Sequence, residues 1–403
     1  MRSDMARVLF HIDLNAFFAS AEELRHPEYK DEPLVVGSAS ARGVVATANY
    51  KAREYGIHSA MPMMQALSLC ENLVVVPGDH AYYKKLSNAF FDYLRTFSGA
   101  LEILSIDECF LDVTEVIKQY KRPLDLAVQI QQGVLEKLGL KCSIGVAPTR
   151  FLAKMASDMH KPLGITVLRK SEISAKLYPL PIEDMMGIGK KTVPLLKEKG
   201  IVKIGDLMRE ENQQVLRQIL KSSYYEIMKK LKGQSSDQLI FSTTRKSVSH
   251  SRTFQRDLYS TEELMEALQQ LCREVSQAMI KAGRKGSMVS LIMRDANFSN
   301  KVRSVSLNQY TNEYAILYQA AGNLLLENAE EGQGYRLLGI SIGSLQDEHN
   351  IVLQPSLFDK PVEDPTKNVL DSLNRSLNEQ MEADHPLLFK ASDLLKKEKQ
   401  NES

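Results

Sequence analysis

The sequence predicts an α+β protein of more than one domain. Two apolar runs in the first 110 residues each end in acid, Val8-Leu9-Phe10-His11-Ile12 before Asp13 and Ala100-Leu101-Glu102-Ile103-Leu104 before Ser105-Ile106-Asp107-Glu108. From 245 to 346 the order strand, helix, strand, strand, helix, strand repeats a β-α-β unit. At 403 residues the chain exceeds what one core usually serves.

The elements follow in order. Residues 6–13 read as a strand and 14–25 as a short helix. Pro33-Leu34-Val35-Val36 and Gly43-Val44-Val45-Ala46-Thr47 are β-rich runs bounded by Gly and Pro. Helices are expected at 49–55, 62–70 and, long and amphipathic, at 79–97. Strands at 101–104 and 109–113 suggest a hairpin around the acidic pair. A helix at 123–138, a strand at 141–147 and a helix from Thr149 to His160 complete one sheet bearing all three acids. Beyond 167 the pattern turns to short helices, with Gly187-Ile188-Gly189-Lys190-Lys191-Thr192 before one and Lys199-Gly200-Ile201 before another. Residues 233–244 read as a linker, and 245–346 as a four-stranded sheet with two helices on one face. The last fifty or so residues are polar and acidic.

Composition excludes some classes. No apolar run approaches a membrane span, and Met1-Arg2-Ser3-Asp4 lacks the layout of a signal peptide. Cys70, Cys109, Cys142 and Cys272 are scattered without metal-ligand spacing and read as reduced thiols of a cytoplasmic protein. Net charge is +1, but eleven bases face six acids between Phe241 and Arg303, a local surplus suited to a phosphate backbone. From Asp359 onward ten acids face seven bases.

Solvated acids are the rule, so an Asp-Glu pair alone would read as a strand end. Three carboxylates crowded together instead require a cation, because bare like charges repel and one would protonate. Hard oxygen ligands with few histidines favour Mg²⁺ or Mn²⁺ over zinc. Such sites serve phosphate chemistry, with two ions about 4 Å apart. Tyr50 and Arg53 share a face at a helix start, where a hydroxyl and a guanidinium suit a triphosphate; the bland reading is an exposed turn. Phe17 reads as core, whereas Phe18 could wall a pocket and exclude a 2′-hydroxyl. Lys154 and Lys161 can reach a phosphate, or are two solvated lysines. Gly187, Gly189, Lys190 and Lys191 resemble a helix-hairpin-helix that meets DNA phosphates. Gln354-Pro355-Ser356-Leu357-Phe358 has the two apolar anchors of a docking peptide, or is a stray apolar pair.

In this order the motifs resemble the Y-family translesion DNA polymerases, nearest the bacterial DNA polymerase IV branch. Three stretches carry the likeness: His11-Ile12-Asp13-Leu14-Asn15-Ala16-Phe17-Phe18-Ala19-Ser20, Val45-Ala46-Thr47-Ala48-Asn49-Tyr50-Lys51-Ala52-Arg53, and Ser105-Ile106-Asp107-Glu108. Gly145-Val146-Ala147, Lys154, Lys161-Pro162 and Arg245-Lys246-Ser247-Val248 agree. The resemblance implies a right-hand polymerase. The palm would be 1–18 and 79–166, fingers 19–78, a helical thumb 167–235, a linker 236–244, a β-α-β-β-α-β little finger 245–348, and a polar tail 349–403.

It implies that Asp13, Asp107, Glu108 and the Leu14 carbonyl hold two Mg²⁺, with Mn²⁺ as a substitute. Phe18 falls at the steric gate. Thr47, Tyr50, Arg53 and Lys161 fall where the family grips the triphosphate, and Val44 and Ala46 where small residues cover the nascent pair. Arg245, Lys246 and Ser247, with Arg252 beyond them, would begin a strand lying along DNA. Gln354, Leu357 and Phe358 look like a sliding-clamp ligand. The implied partners are primer-template DNA, dNTP and a sliding clamp, for a monomer with no membrane attachment.

Two departures stand out. Asn15 replaces an Asp common among relatives and occurs also in the polymerase V-like branch. About forty-five residues follow the clamp-type peptide, including a second apolar peptide, His385-Pro386-Leu387-Leu388-Phe389. The function expected is low-fidelity synthesis past damaged bases by two-metal nucleotidyl transfer without proofreading. The rivals are a non-catalytic DNA-binding or clamp-docking scaffold with a dead palm, and a nucleotide cyclase acting without DNA.

Overall fold

The computed structural model describes residues 7–241 and 244–351. In chain order these form β1 (Leu9–Leu14), α1 (Phe17–Arg25), β2 (Leu34–Gly37), β3 (Val45–Ala48), α2 (Tyr50–Glu54), α3 (Met63–Leu69) and β4 (Val74–Val76). Next come α4 (His80–Arg95), β5 (Leu101–Ile103), β6 (Glu108–Asp112), α5 (Pro123–Leu138), β7 (Cys142–Ala147), α6 (Arg150–Met159) and β8 (Ile165–Val167). The helical segment holds α7 (Thr192–Lys197), α8 (Gln213–Leu220) and α9 (Tyr224–Leu231). The last unit is β9 (Val248–Leu258), α10 (Thr261–Lys281), β10 (Arg284–Asp295), β11 (Asn300–Thr311), α11 (Tyr314–Asn328), β12 (Tyr335–Gly343) and β13 (Gln346–Asp347).

The first sheet runs β5-β6-β1-β7-β8. β1 lies inside it, antiparallel to both β6 and β7, so both its edges are paired, and separate cores cover its two faces. Phe10, Ile12, Cys109 and Leu111 look toward α1, α4 and α5. Leu9 and Phe110 look the other way, into a core shared with α6 and the helical segment. His11, Asp13 and Glu108 alternate onto that second face, because side chains two apart on a strand share a side. The acids therefore sit where the sheet meets α6.

Local chemistry shifts several expected boundaries. Helix α1 begins at Phe17 rather than 14, since Asn15 still bonds across to Lys141 and Ala16 takes a left-handed φ of 46°. Strand β3 begins at Val45 rather than 43, because the Gly43 amide closes a turn on Ser40. Strands β4 and β8 were not expected; each is three residues long and pairs in parallel, with β2 and β7 respectively. The turn after Gly200 leads into a 3₁₀ segment at Ile204–Met208, not an α-helix.

A three-stranded sheet, β3-β2-β4, carries the second region on a small core of its own. The C-terminal unit matches the expected order, as a sheet β11-β10-β12-β9 with α10 and α11 covering one face. Its first strand starts at Val248, so Arg245, Lys246 and Ser247 precede it rather than begin it.

Candidate active site and DNA-facing surfaces

Asp13 and Glu108 are register partners on β1 and β6. Asp107 stands one residue earlier, fixed by the Leu14 amide, which donates to its carbonyl at 3.0 Å. The Ser105 hydroxyl donates to the Asp107 carboxylate. Lys161 Nζ lies 2.9 Å from Asp13 Oδ1 and 2.6 Å from Asp158 Oδ1. Glu108 is held by Lys154, and by His11 Nε2 at 3.0 Å. His11 in turn bonds Ser157 Oγ at 2.7 Å.

The main chain thus brings the three acids together, but their carboxylates turn to separate partners. Among the described residues, no three His, Cys, Asp or Glu side chains close into a ready metal shell. Two ammonium groups supply the countercharge instead. Burial pushes the Asp13 carboxyl above its usual range, against the pull of Lys161, with Asp107 adding to the rise. Burial also works to raise Glu108, yet hydrogen bonds from His11 and Lys154 and the lysine charge prevail and hold it at about 2. Hard, partly desolvated carboxylate oxygens, held by Lys161, Lys154, His11 and Ser105 rather than by one another, suit a hydrated divalent cation, so the donor set fits Mg²⁺ or Mn²⁺.

Beside the acids, α2 presents Tyr50 and Arg53. The Tyr50 hydroxyl is buried without a well-formed hydrogen bond, within electrostatic reach of Arg53, Lys161 and Asp13. An orphaned buried hydroxyl invites an acceptor, as a phosphate oxygen would be. Arg53 stacks on the Tyr50 ring, 4.7 Å from its centroid, and donates to the Ala48 carbonyl at 3.0 Å. Asn49 fastens the helix start: its side-chain oxygen accepts from Ala52 and Leu34, and its nitrogen donates to Glu23 and Glu32. Thr47 is half-buried on β3, opposite Val36.

Phe18, Val44 and Ala46 line one cleft of about 710 Å³, with Arg42, His80 and Thr253. Phe18 stacks on Tyr83 at 4.4 Å between centroids, and the Tyr83 hydroxyl donates to buried Glu22 at 2.6 Å. Arg42 crosses to the C-terminal unit, 2.8 Å from Asp257 and bonded to the Phe254 carbonyl. Sequence reasoning missed His11, Ser157, Tyr83, Glu22 and Arg42. For His11 a signal existed, the two-residue alternation with Asp13; for the pairing of Glu22 with Tyr83 there was none.

The comparisons then decide the family. The impB/mucB/samB family model matches residues 12–158, and the model for its C-terminal domain matches 245–357. The DNA polymerase IV of Ureaplasma parvum serovar 3 is 34% identical over 361 residues, covering 89% of this chain and 100% of that protein. The DNA polymerase IV of Listeria monocytogenes serovar 1/2a is 37% identical over 344 residues, covering 85% and 96%. The solved Y-family DNA polymerase chimera Dbh-Dpo4(243-245)-Dbh superposes with a TM-score of 0.75 at 27% identity, over 84% of this chain and 98% of that one. DinB from Sulfolobus solfataricus superposes with a TM-score of 0.57 at 27% identity, over 83% and 98%.

The chain belongs to the Y family of DNA polymerases. It is a DNA-directed DNA polymerase with a right-hand fold and a C-terminal little finger. The acids lie on and beside the five-stranded sheet, and the cleft runs from the three-stranded sheet to the little finger.

In the helical segment, Gly187, Gly189, Lys190 and Lys191 are all exposed around the buried Ile188. Gly187 has φ +102°, a conformation side chains rarely adopt. A 3₁₀ turn, Ile182–Asp184, immediately precedes this hairpin, in place of an α-helix.

The little finger revises the expectation of a basic face. Arg252 points to the helix side, where Gln270 and Glu274 of α10 take its guanidinium. Lys301 and Arg303 likewise bond Asn328, the last residue of α11. The open face carries hydroxyls, Ser249, Ser251, Ser304 and Ser306 among them, together with Arg294, which donates to Asn300. Arg245 and Lys246 are exposed at its edge, beside Ser290 and Ser341 in one shallow cavity. The peptide Gln354, Leu357 and Phe358 lies outside the described residues. Among those described, no helix is long and apolar enough to cross a membrane.

Proposed function

We propose that this polymerase copies DNA past damaged bases, transferring nucleotides from dNTPs to a primer 3′-hydroxyl with low fidelity and no proofreading step. The observation that carries the reading is the placement of Asp13 opposite Glu108, with Asp107 adjoining, beside the orphaned hydroxyl of Tyr50. Relatives named DNA polymerase IV and the solved insertion ternary complex of Dbh DNA polymerase support primer-template DNA and nucleotide as its ligands.

Asp13, Asp107, Glu108 and the Leu14 carbonyl would hold two Mg²⁺, which supply positive charge at the attacking and leaving oxygens. The chain's own groups do the rest. Thr47, Tyr50, Arg53 and Lys161 bind and orient the triphosphate, so the α-phosphate meets the primer end already aligned. Phe18 excludes a 2′-hydroxyl by bulk. Val44 and Ala46, both exposed to the cleft, cover the base pair with little side-chain volume, leaving room for distorted bases. A scaffold with an inactive palm is disfavoured by the full set of acids and lysines.

Glu108→Ala is expected to abolish extension while primer-template affinity stays within about twofold, since several kcal/mol of charge stabilisation would be lost. Single-turnover extension by this variant at more than a few per cent of wild type would falsify the assignment. Extension across an abasic template position, with a check for primer shortening when dNTPs are withheld, tests bypass and the absence of proofreading.

A further inference from the structure

The turn that delivers Lys161 holds a strained residue. Leu163 has φ +62°, in the left-handed region that a leucine enters only at a cost. Its side chain is 40% exposed, so packing does not secure it. Two side-chain amides from elsewhere in the palm do. The Leu163 N–H donates to Asn15 Oδ1 at 2.9 Å. The Leu163 carbonyl accepts from Gln131 Nε2 at 2.9 Å, and the same amide donates to the Cys142 carbonyl at 2.9 Å. Asn15 is 2% exposed and donates from Nδ2 to Ser143 Oγ at 2.9 Å. Both backbone groups of one strained residue are thus tied down, the N–H to the end of β1 and the carbonyl to α5, whose Gln131 also bonds the start of β7. Two residues earlier, Lys161 projects to Asp13.

We propose that Asn15 and Gln131 form an amide clamp that fixes this turn and thereby positions Lys161 for the incoming triphosphate. The inference rests on the reading of Lys161 as a triphosphate contact. Both amides bond the backbone of Leu163 and act through it. Without either, the turn relaxes toward conformations that leucine prefers, and the ammonium is delivered less often. The clamp needs only an acceptor at position 15, because the bond that matters there comes from the Leu163 N–H.

The test compares KM for dNTP, kcat, primer-template affinity and melting temperature across six variants. Asn15→Ala and Gln131→Leu should each raise KM about fivefold, the size of one net hydrogen bond. Turnover and DNA affinity should stay within about twofold. Asn15→Asp keeps the acceptor and should stay near wild type. Leu163→Asn should suppress the Asn15→Ala defect in the double variant, because asparagine enters the left-handed region readily. A purely structural role would not give that rescue. Lys161→Ala separates the two ideas: an unchanged KM there defeats the reading of the site. A raised KM in Lys161→Ala with normal KM in Asn15→Ala and Gln131→Leu, or no rescue by Leu163→Asn, defeats the clamp. If Asn15→Ala fails to fold, Gln131→Leu alone and with Leu163→Asn decides by the same criteria.

Discussion

The ring of Phe18 lies nearly parallel to Tyr83, at 15°, and Tyr83 is itself anchored on Glu22. A gate that excludes by overlap must not swing, and this stack removes the freedom to do so. Phe18→Ala should therefore raise ribonucleotide use by orders of magnitude, with a smaller loss of deoxynucleotide use. The measurement is the ratio of kcat/KM for dNTP and rNTP, and an unchanged ratio moves the gate to another residue. Phe18 was legible from sequence because it stands in the same stretch as Asp13, His11 to Ser20, which carries the family likeness. Its support was not: Glu22 and Tyr83 are 61 positions apart, and no local pattern links them.

At the scale of elements, α6 matters most, because Lys154 and Ser157 sit on it and Lys161 just after it. Its distance from β7 is set by Gly145. A Cβ there would come within 1.9 Å of the Ala153 carbonyl oxygen and 2.4 Å of the Ser157 nitrogen, both helix backbone. Gly145→Ala should cost about 2–3 kcal/mol through overpacking and lower the melting temperature by several degrees. Extension should fall as well, since the lysines retreat with the helix; a melting temperature unchanged within a degree would refute the close approach. Long elements such as α5 and α10 were legible because periodicity accumulates over many residues and end signals agree, as Pro123 and Gly139 do for α5. The three-residue β4 and β8 were not read as strands, because so short a run carries little periodicity of its own.

Across the whole molecule the question is how the polymerase holds DNA. Arg245 and Lys246 are exposed and enter no ion pair among the described residues, whereas Arg252, Arg256, Lys285 and Lys301 each have an acidic partner. Replacing both with Glu should flatten the dependence of log affinity on log salt by about two, as two phosphate contacts are lost. Reversing Arg252 should change the slope little. A slope untouched by the Arg245 and Lys246 reversal would put the main contacts elsewhere. The tail is tested separately. Leu357→Ala with Phe358→Ala should leave distributive extension intact and remove stimulation by a sliding clamp, since a tether raises effective concentration at the primer end. Loss of stimulation on changing Leu388 and Phe389 instead would name the other peptide.

The sequence by itself determined which acids meet, the long helices and strands in their order and the β-α-β-β-α-β unit. Those depend on short-range rules: alternation along strands, periodicity along helices and residue types in fixed succession. Only the tertiary structure decided which charges are already spoken for. Lys154 turned out to face Glu108, Arg252 to face α10, and Asn15 to face the Lys161 turn. The surplus of bases in 241–303 was a true count, yet strand alternation and helix packing divide it between two faces. Charge can be counted along a chain, but an ion pair exists only where folding brings distant side chains within a few ångströms.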